Sequence, residues 1–182
     1  MTRMNVFGRL APLPAREHPE LLADPVARAL SVSAPSALVA AIDPAFADTE
    51  ALCAKYGVPM EASANAVVVR GTRAGVERHA VCMTLAHRRV DVNGLVRRRL
   101  EARKASFAPM DYAVEVTGME YGGITPVGVP ADWPIWVDGA VADSDWLCIG
   151  SGIRGSKLFL SAADLLALPS AERVEGLARD IA

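Results

Sequence analysis

The stretch Tyr121-Gly122-Gly123-Ile124-Thr125-Pro126-Val127-Gly128-Val129-Pro130 holds the residues best suited to chemistry in this chain. Adjacent glycines followed by a proline make a backbone that turns sharply and presents N–H groups without side-chain obstruction, an arrangement able to polarise a carbonyl. A purely structural loop of the same composition reads the same way. A second glycine run, Gly150-Ser151-Gly152-Ile153-Arg154-Gly155, literally fits G-x-G-x-x-G and follows a strand-like segment. A dinucleotide site needs a helix next, to receive the pyrophosphate at its N-terminus, whereas Lys157 to Leu160 (KLFL) reads as a strand. What survives is a tight turn able to bring N–H groups and Arg154 to an anionic ligand. His79 and Cys82 stand three apart in a strand-like run and so face opposite sides, which argues against a metal site. Neither G-x-S-x-G nor H-E-x-x-H occurs, and no nucleophile for covalent catalysis is visible.

Charge gives a second signal. The formal net charge is -2, which argues against a nonspecific DNA binder. Between Arg70 and Lys104, however, ten Lys or Arg face three acids, a local charge of +7 that leaves -9 for the rest. A polyanion needs one basic face and not a basic whole, so Arg97, Arg98, Arg103 and Lys104 are candidate phosphate contacts; a solvated helix face is the other reading of the same run.

These groups need elements to hold them. Pro12, Pro14, Pro19 and Pro25 predict an irregular Pro/Ala-rich arm over residues 1–30 with a short helix, followed by one folded unit over 31–182. Asp48 or Thr49 caps a helix to Tyr56, ended by Gly57. Asn65 to Arg70 and Glu77 to Ala86 read as a hairpin joined by GTRAG, and Asp91 caps a helix to about Ala102. Lys104 to Phe107 is a strand, Pro109 opens a helix that Gly118 ends, and Pro134–Asp138, Trp146–Gly150 and Lys157–Leu160 are strands. Ser161 caps a helix to Leu168, and Glu172 to Gly176 closes the sheet. The class is α+β, since strands outnumber helices and come as hairpins. Hydrophobic residues at 52% support a folded core, no apolar run approaches the ~20 residues of a spanning helix, and Cys53, Cys82 and Cys148 read as reduced thiols. The cytoplasm is the expected compartment.

The order T-G-x-x-x-G-G-I-T-P-x-G-x-P from Thr117, then PIWVD, then IGSGIRGSKLFLSAADLL resembles the C-terminal half of the YbaK/prolyl-tRNA-synthetase-associated domain. RVDVNGLVRRRLEARKASFA is similar to that family's preceding helix and lysine-containing strand, and the resemblance spans roughly residues 45–176. It implies a mixed, barrel-like β-sheet flanked by short helices, and hydrolysis of the ester of mischarged tRNA without a metal or organic cofactor. The expected partners are the acceptor end of that tRNA and an aminoacyl-tRNA synthetase, not a membrane or DNA. By position, Gly122, Gly123, Ile124 and Thr125 inherit the loop that holds the aminoacyl carbonyl while water attacks, helped by the substrate's terminal ribose hydroxyl; Gly150, Gly152 and Arg154 lie in the turn bordering the pocket. The family's strand commonly begins Lys-Thr-Leu-Val, with a lysine important for editing, whereas this chain has Asn65-Ala66-Val67-Val68. Asn donates hydrogen bonds but supplies no charge. Arg70 and Lys104 are the nearby cations in sequence. A catalytically silent module that binds aminoacyl-tRNA, a nucleotide or a protein, and a dimerising protein using Trp133, Trp136 and Trp146, are the alternative readings.

Overall fold

The computed structural model describes residues 5–181. The chain opens with β1 (Leu13–Pro14), α1 (Asp24–Leu30), β2 (Leu38–Ala41) and α2 (Thr49–Tyr56), then the long hairpin β3 (Ala64–Arg73) and β4 (Val76–Leu85). β5 (Arg88–Val90), α3 (Arg97–Arg99), β6 (Lys104–Phe107) and α4 (Met110–Thr117) follow. The last third holds β7 (Ile135–Asp138), α5 (Gly139–Ala142), β8 (Trp146–Gly150), β9 (Ser156–Ser161), α6 (Ala162–Leu166), β10 (Ala171–Val174) and β11 (Ala178–Asp180). The strands form a five-stranded sheet, β10-β7-β4-β3-β6, a four-stranded sheet, β1-β2-β9-β8, and a β11-β5 ribbon. The α+β class is therefore correct, and the mixed character comes from β7, which pairs parallel with both β10 and β4. The sheets do not close into a barrel.

Most local rules held. α2 ends at Gly57 in the left-handed region (φ 70°), and Ser161 accepts from the Asp164 N–H at the start of α6. The β3–β4 hairpin runs further than its sequence suggests: Gly71, Thr72 and Arg73 stay in the ladder and the reversal falls on Ala74-Gly75, both at positive φ. Gly71 is a strand residue because Leu100 and Ala102 press where its Cβ would be. Asp91 does cap the next segment, accepting from the Gly94 and Leu95 N–H groups, but Val92–Val96 is wound as a π-turn before α3. The strand expected over Glu172–Gly176 is β10, shifted to Ala171–Val174. Segments β2, β5 and β11 are four residues or fewer and carried no alternation to reveal them.

Three apolar clusters hold the layers. The largest joins both sheets: Val81 and Met83 of β4 meet Leu147 and Ile149 of β8 and Leu158 and Leu160 of β9, with Val26 and Leu30 of α1 packed in. The Pro/Ala-rich N-terminal segment thus contributes to the main core. The opposite face of β8 and β9 carries Cys148 and Phe159 against Leu52 of α2, as the two-residue strand period requires. Cys82, Trp136 and Leu100 belong to the third cluster. Trp133 and Trp136 are both 4% exposed, which removes them from any docking surface. Burial pushes the Cys82 and Cys148 thiols up to about 12, so neither is a ready nucleophile.

Asp138 joins three of these pieces. It is buried, accepts from the Ala140 N–H of α5 (3.3 Å) and the Ala178 N–H of β11 (2.9 Å), and lies 3.7 Å from Arg88. Removing one partner of a buried charged pair leaves the rest uncompensated, at a cost of about 3 kcal/mol. Asp138→Ala is expected to lower the unfolding free energy by that amount in urea titration, and Asp138→Asn, which keeps one acceptor, by less.

Candidate functional site

One cavity of about 330 Å³ lies where the two sheets and the glycine loop meet. Asp48 and Thr49 at the start of α2 form one wall, the first residues of β3 another, and Phe107 with Met110 the entrance side; Gly122, Ile124, Gly150 and Lys157 complete it. The β3 wall is an open strand edge. Val68 accepts from the Ala108 N–H (2.8 Å), while β6 pairs only with Val69–Thr72, so Ala66 turns its N–H and C=O toward the same edge beyond the end of β6.

The glycine loop is fixed by backbone bonds to the turn between β8 and β9. The Gly152 N–H donates to the Gly123 C=O (2.7 Å), the Glu120 N–H donates to the Gly152 C=O (2.8 Å), and the Gly123 N–H donates to the Glu120 C=O (2.9 Å). Thr125 is fully buried, its N–H directed at the Met119 sulfur (3.5 Å). Gly123 and Thr125, read from the sequence as catalytic, therefore brace the loop and do not line the cavity. Gly122 and Ile124 do line it, and neither N–H has a hydrogen-bond partner among the described residues. The loop thus alternates between N–H groups that hold it in place and N–H groups that remain free.

Gly150 lines the cavity, whereas Gly152 sits behind it against Ala23. Arg154 acts as a clamp: its guanidinium reaches the Pro44 C=O (3.2 Å), the Tyr121 C=O and the Asp48 carboxylate (both 3.5 Å), and its own N–H donates to Glu120 (2.8 Å). It joins the α2 wall to the glycine loop and is not among the lining residues. Asn65 lines the cavity, exposed, and its Oδ1 accepts from the Thr49 hydroxyl (3.0 Å). Along β3, Val67 and Val69 pack with the Cys82–Trp136 cluster while Ala64, Ala66 and Val68 pack with Ile124 and Ala113, so Asn65 belongs to the alternation of Val67 and Val69. Sequence reading passed over Lys157, a lining residue only 8% exposed. A charge embedded in the apolar run KLFL was the available signal.

The basic run separates into two groups. Arg97, Arg103 and Lys104 converge with Arg70, Asn93 and Ser106 on a surface groove. Arg98 is not among the groove's lining residues, and Arg99 is engaged by Glu172 (2.8 Å) and by the Trp136 ring (4.9 Å). β6 connects the two sites: Lys104 lines the groove and Phe107 the cavity, three residues apart, or about 10 Å along an extended strand. Phe107 itself is 65% exposed.

Residues 43–168, which include every wall of the cavity, match a family model described as an aminoacyl-tRNA editing domain. Among solved structures, the fold is similar to a proposed trans-editing enzyme for prolyl tRNA synthetase, at 19% identity, with 84% of this chain and 94% of that chain covered and a TM-score of 0.71. It is similar also to the hypothetical protein APE2540, at 17% identity, with 86% of this chain and all of that one (100%) covered and a TM-score of 0.74. At these identities the likeness is one of fold. No curated protein sequence matches significantly.

The bracing of the loop is testable through Gly123. A Cβ there would stand 2.8–2.9 Å from the backbone of Ile153, which cannot yield as a flexible side chain does. Gly123→Ala is expected to destabilise the fold by about 1–3 kcal/mol through overpacking, read as a lowered Tm in circular dichroism. An unchanged Tm would mean that the loop is not pressed against the turn.

Proposed function

The chain belongs to the aminoacyl-tRNA editing domain family, and on that premise we propose that it is a deacylase that hydrolyses the ester between a wrongly attached amino acid and its tRNA. The observation that carries this reading is the pair of unpartnered N–H groups at Gly122 and Ile124, both on residues lining a cavity of about 330 Å³. Donors held in place before the reaction favour the developing oxyanion, because no reorganisation is needed when charge appears. Water attacks the ester carbonyl, the oxyanion forms beside the two N–H groups, and collapse releases the amino acid and the ribose hydroxyl. The substrate's neighbouring ribose hydroxyl would guide that water, as the family resemblance implies.

The neighbouring surfaces support this reading for the rest of the tRNA end. Phosphates next to the terminal nucleotide would occupy the groove of Arg97, Arg103 and Lys104, one strand away from the cavity. Phe107, exposed between groove and cavity, offers a face for stacking an unpaired base. The small cavity favours small amino acids, such as alanyl or seryl esters. An aminoacyl-tRNA synthetase is the proposed partner that supplies the mischarged product.

Two measurements check this. Purified protein is expected to release at least one ester from a panel of mischarged tRNAs faster than buffer does, and a complete panel without acceleration would leave a binding module in place of an enzyme. The double variant Arg97→Ala, Arg103→Ala is expected to weaken tRNA binding and reduce the slope of log affinity against log salt by about two units. An unchanged slope would return both arginines to the solvated surface.

A further inference from the structure

Among the described residues that line the cavity, Lys157 is the one cation, and the only other charged one, Asp48, is engaged by Arg154 at 3.5 Å. Its side chain leaves β9 opposite Ala40 on one neighbouring strand and Gly150 on the other, two residues too small to fill the space beside it. The ammonium makes no hydrogen bond or ion pair among the described residues, and it keeps a little accessible surface, as a group lining the cavity must. A mostly desolvated charge without a protein partner costs stability, and a ligand of opposite charge entering the cavity would offset that cost.

We propose that Lys157 is a catalytic residue, whose ammonium donates to the carbonyl oxygen of the scissile ester as that oxygen becomes an anion. The assignment rests on the deacylase reading. As water adds to the carbonyl carbon, the π pair of the C=O bond moves onto oxygen, between the ammonium and the N–H groups of Gly122 and Ile124. When the intermediate collapses, the C=O bond re-forms, the bond to the ribose oxygen breaks, and that oxygen takes up the proton released by the water. Lys157 stays protonated throughout. Desolvation lowers its pKa from the ordinary value; the thiols of Cys148 on β8 and Cys53 on α2 and the carboxylate of Asp48 pull it up, and Arg154 pushes it down. Because the protonated form is the working one, activity is present below that lowered pKa and is lost as pH rises through it.

The test compares the whole protein with Lys157→Met, which keeps the length of the side chain without its charge. Single-turnover deacylation is expected to fall about 10²- to 10³-fold, as for loss of an oxyanion donor. tRNA affinity should stay within about twofold and Tm should hold or rise, because an unpaired buried charge has been removed. After subtraction of buffer hydrolysis, the wild-type rate should decline on the alkaline side at a pH below 10.5, and the variant should lack that limb. In Lys157→Ala, added methylammonium should restore part of the rate. A variant rate within about threefold of wild type, or no alkaline limb in either protein, overturns the assignment. A second measurement does not depend on turnover: lysine-labelled protein is titrated by NMR with and without an adenosine 3′-aminoalkylphosphonate, a stable anionic mimic of the tetrahedral intermediate. Its binding should raise the Lys157 pKa. A wild-type protein silent on the whole ester panel removes the deacylase reading while the titration still decides whether Lys157 holds the anion, and a lysine unmoved at saturating phosphonate overturns the assignment whatever the panel shows.

Discussion

The structure of the site depends on one close approach of backbone to backbone, between the glycine loop and the turn that joins β8 to β9. The two segments exchange hydrogen bonds through Gly123, Gly152 and Glu120, and the contact is so tight that a Cβ at Gly150 would lie 2.6 Å from the carbonyl oxygens of Gly123 and Ile124. No side chain larger than hydrogen fits at such a distance, which is the physical reason for glycines here. Loops are ordinarily the mobile part of a fold. This one is bound to two strands whose opposite faces are buried in two different apolar clusters, so its N–H groups inherit the rigidity of the sheet.

From that bracing follows a division of labour along four residues. The N–H groups of buried residues need partners, and Gly123 and Thr125 are buried, whereas Gly122 is exposed and Ile124 half-buried. Gly123 and Thr125 do the holding, and Gly122 and Ile124 are left facing the cavity. Gly122 takes this arrangement at φ 74°, a conformation that side chains rarely adopt. Arg154 adds a second restraint from outside by tying the loop at Tyr121 to the start of α2 at Asp48, so the two walls of the cavity keep their separation.

The sequence revealed what depends on local chemistry and hid what depends on long-range pairing. The Gly122–Gly123 loop, the helix stops at Gly57 and Gly118 and the caps at Asp91 and Ser161 were legible, because each reflects a backbone conformation or hydrogen bond within a few residues. Which N–H groups of the loop are free was not legible, since that is settled by Gly152, some thirty positions away. The hairpin turn was misplaced because Gly71 serves packing against Leu100, whereas its composition suggested a reversal. In the basic run, charge alone could not separate Arg97 and Arg103 from Arg99, which pairs with Glu172 of β10, 73 residues further on, and packs on Trp136 of β7. Lys157 was hidden by its neighbours: KLFL reads as a strand and lies within one, and a strand assignment does not say which of its side chains enters a cavity.

The separation of charge from chemistry has its own logic. Affinity for a polyanion comes from groups exposed to solvent, where counterions are released, and is indifferent to which amino acid the tRNA carries. Discrimination requires the reverse, a dry and narrow space in which few charges interact strongly because little water screens them. On the proposed function the chain would keep these apart by one strand: the groove cations stand at the Lys104 end of β6, and the cavity with Lys157 at the Phe107 end. The rest of the chain carries -9, so on the proposed function a nucleic acid would be steered away from it and toward the groove of Arg97, Arg103 and Lys104. On the proposed function, an acceptor end held at the groove would lie about 10 Å along β6 from Phe107 at the cavity entrance, so the charge that binds it would be largely screened from the ester itself.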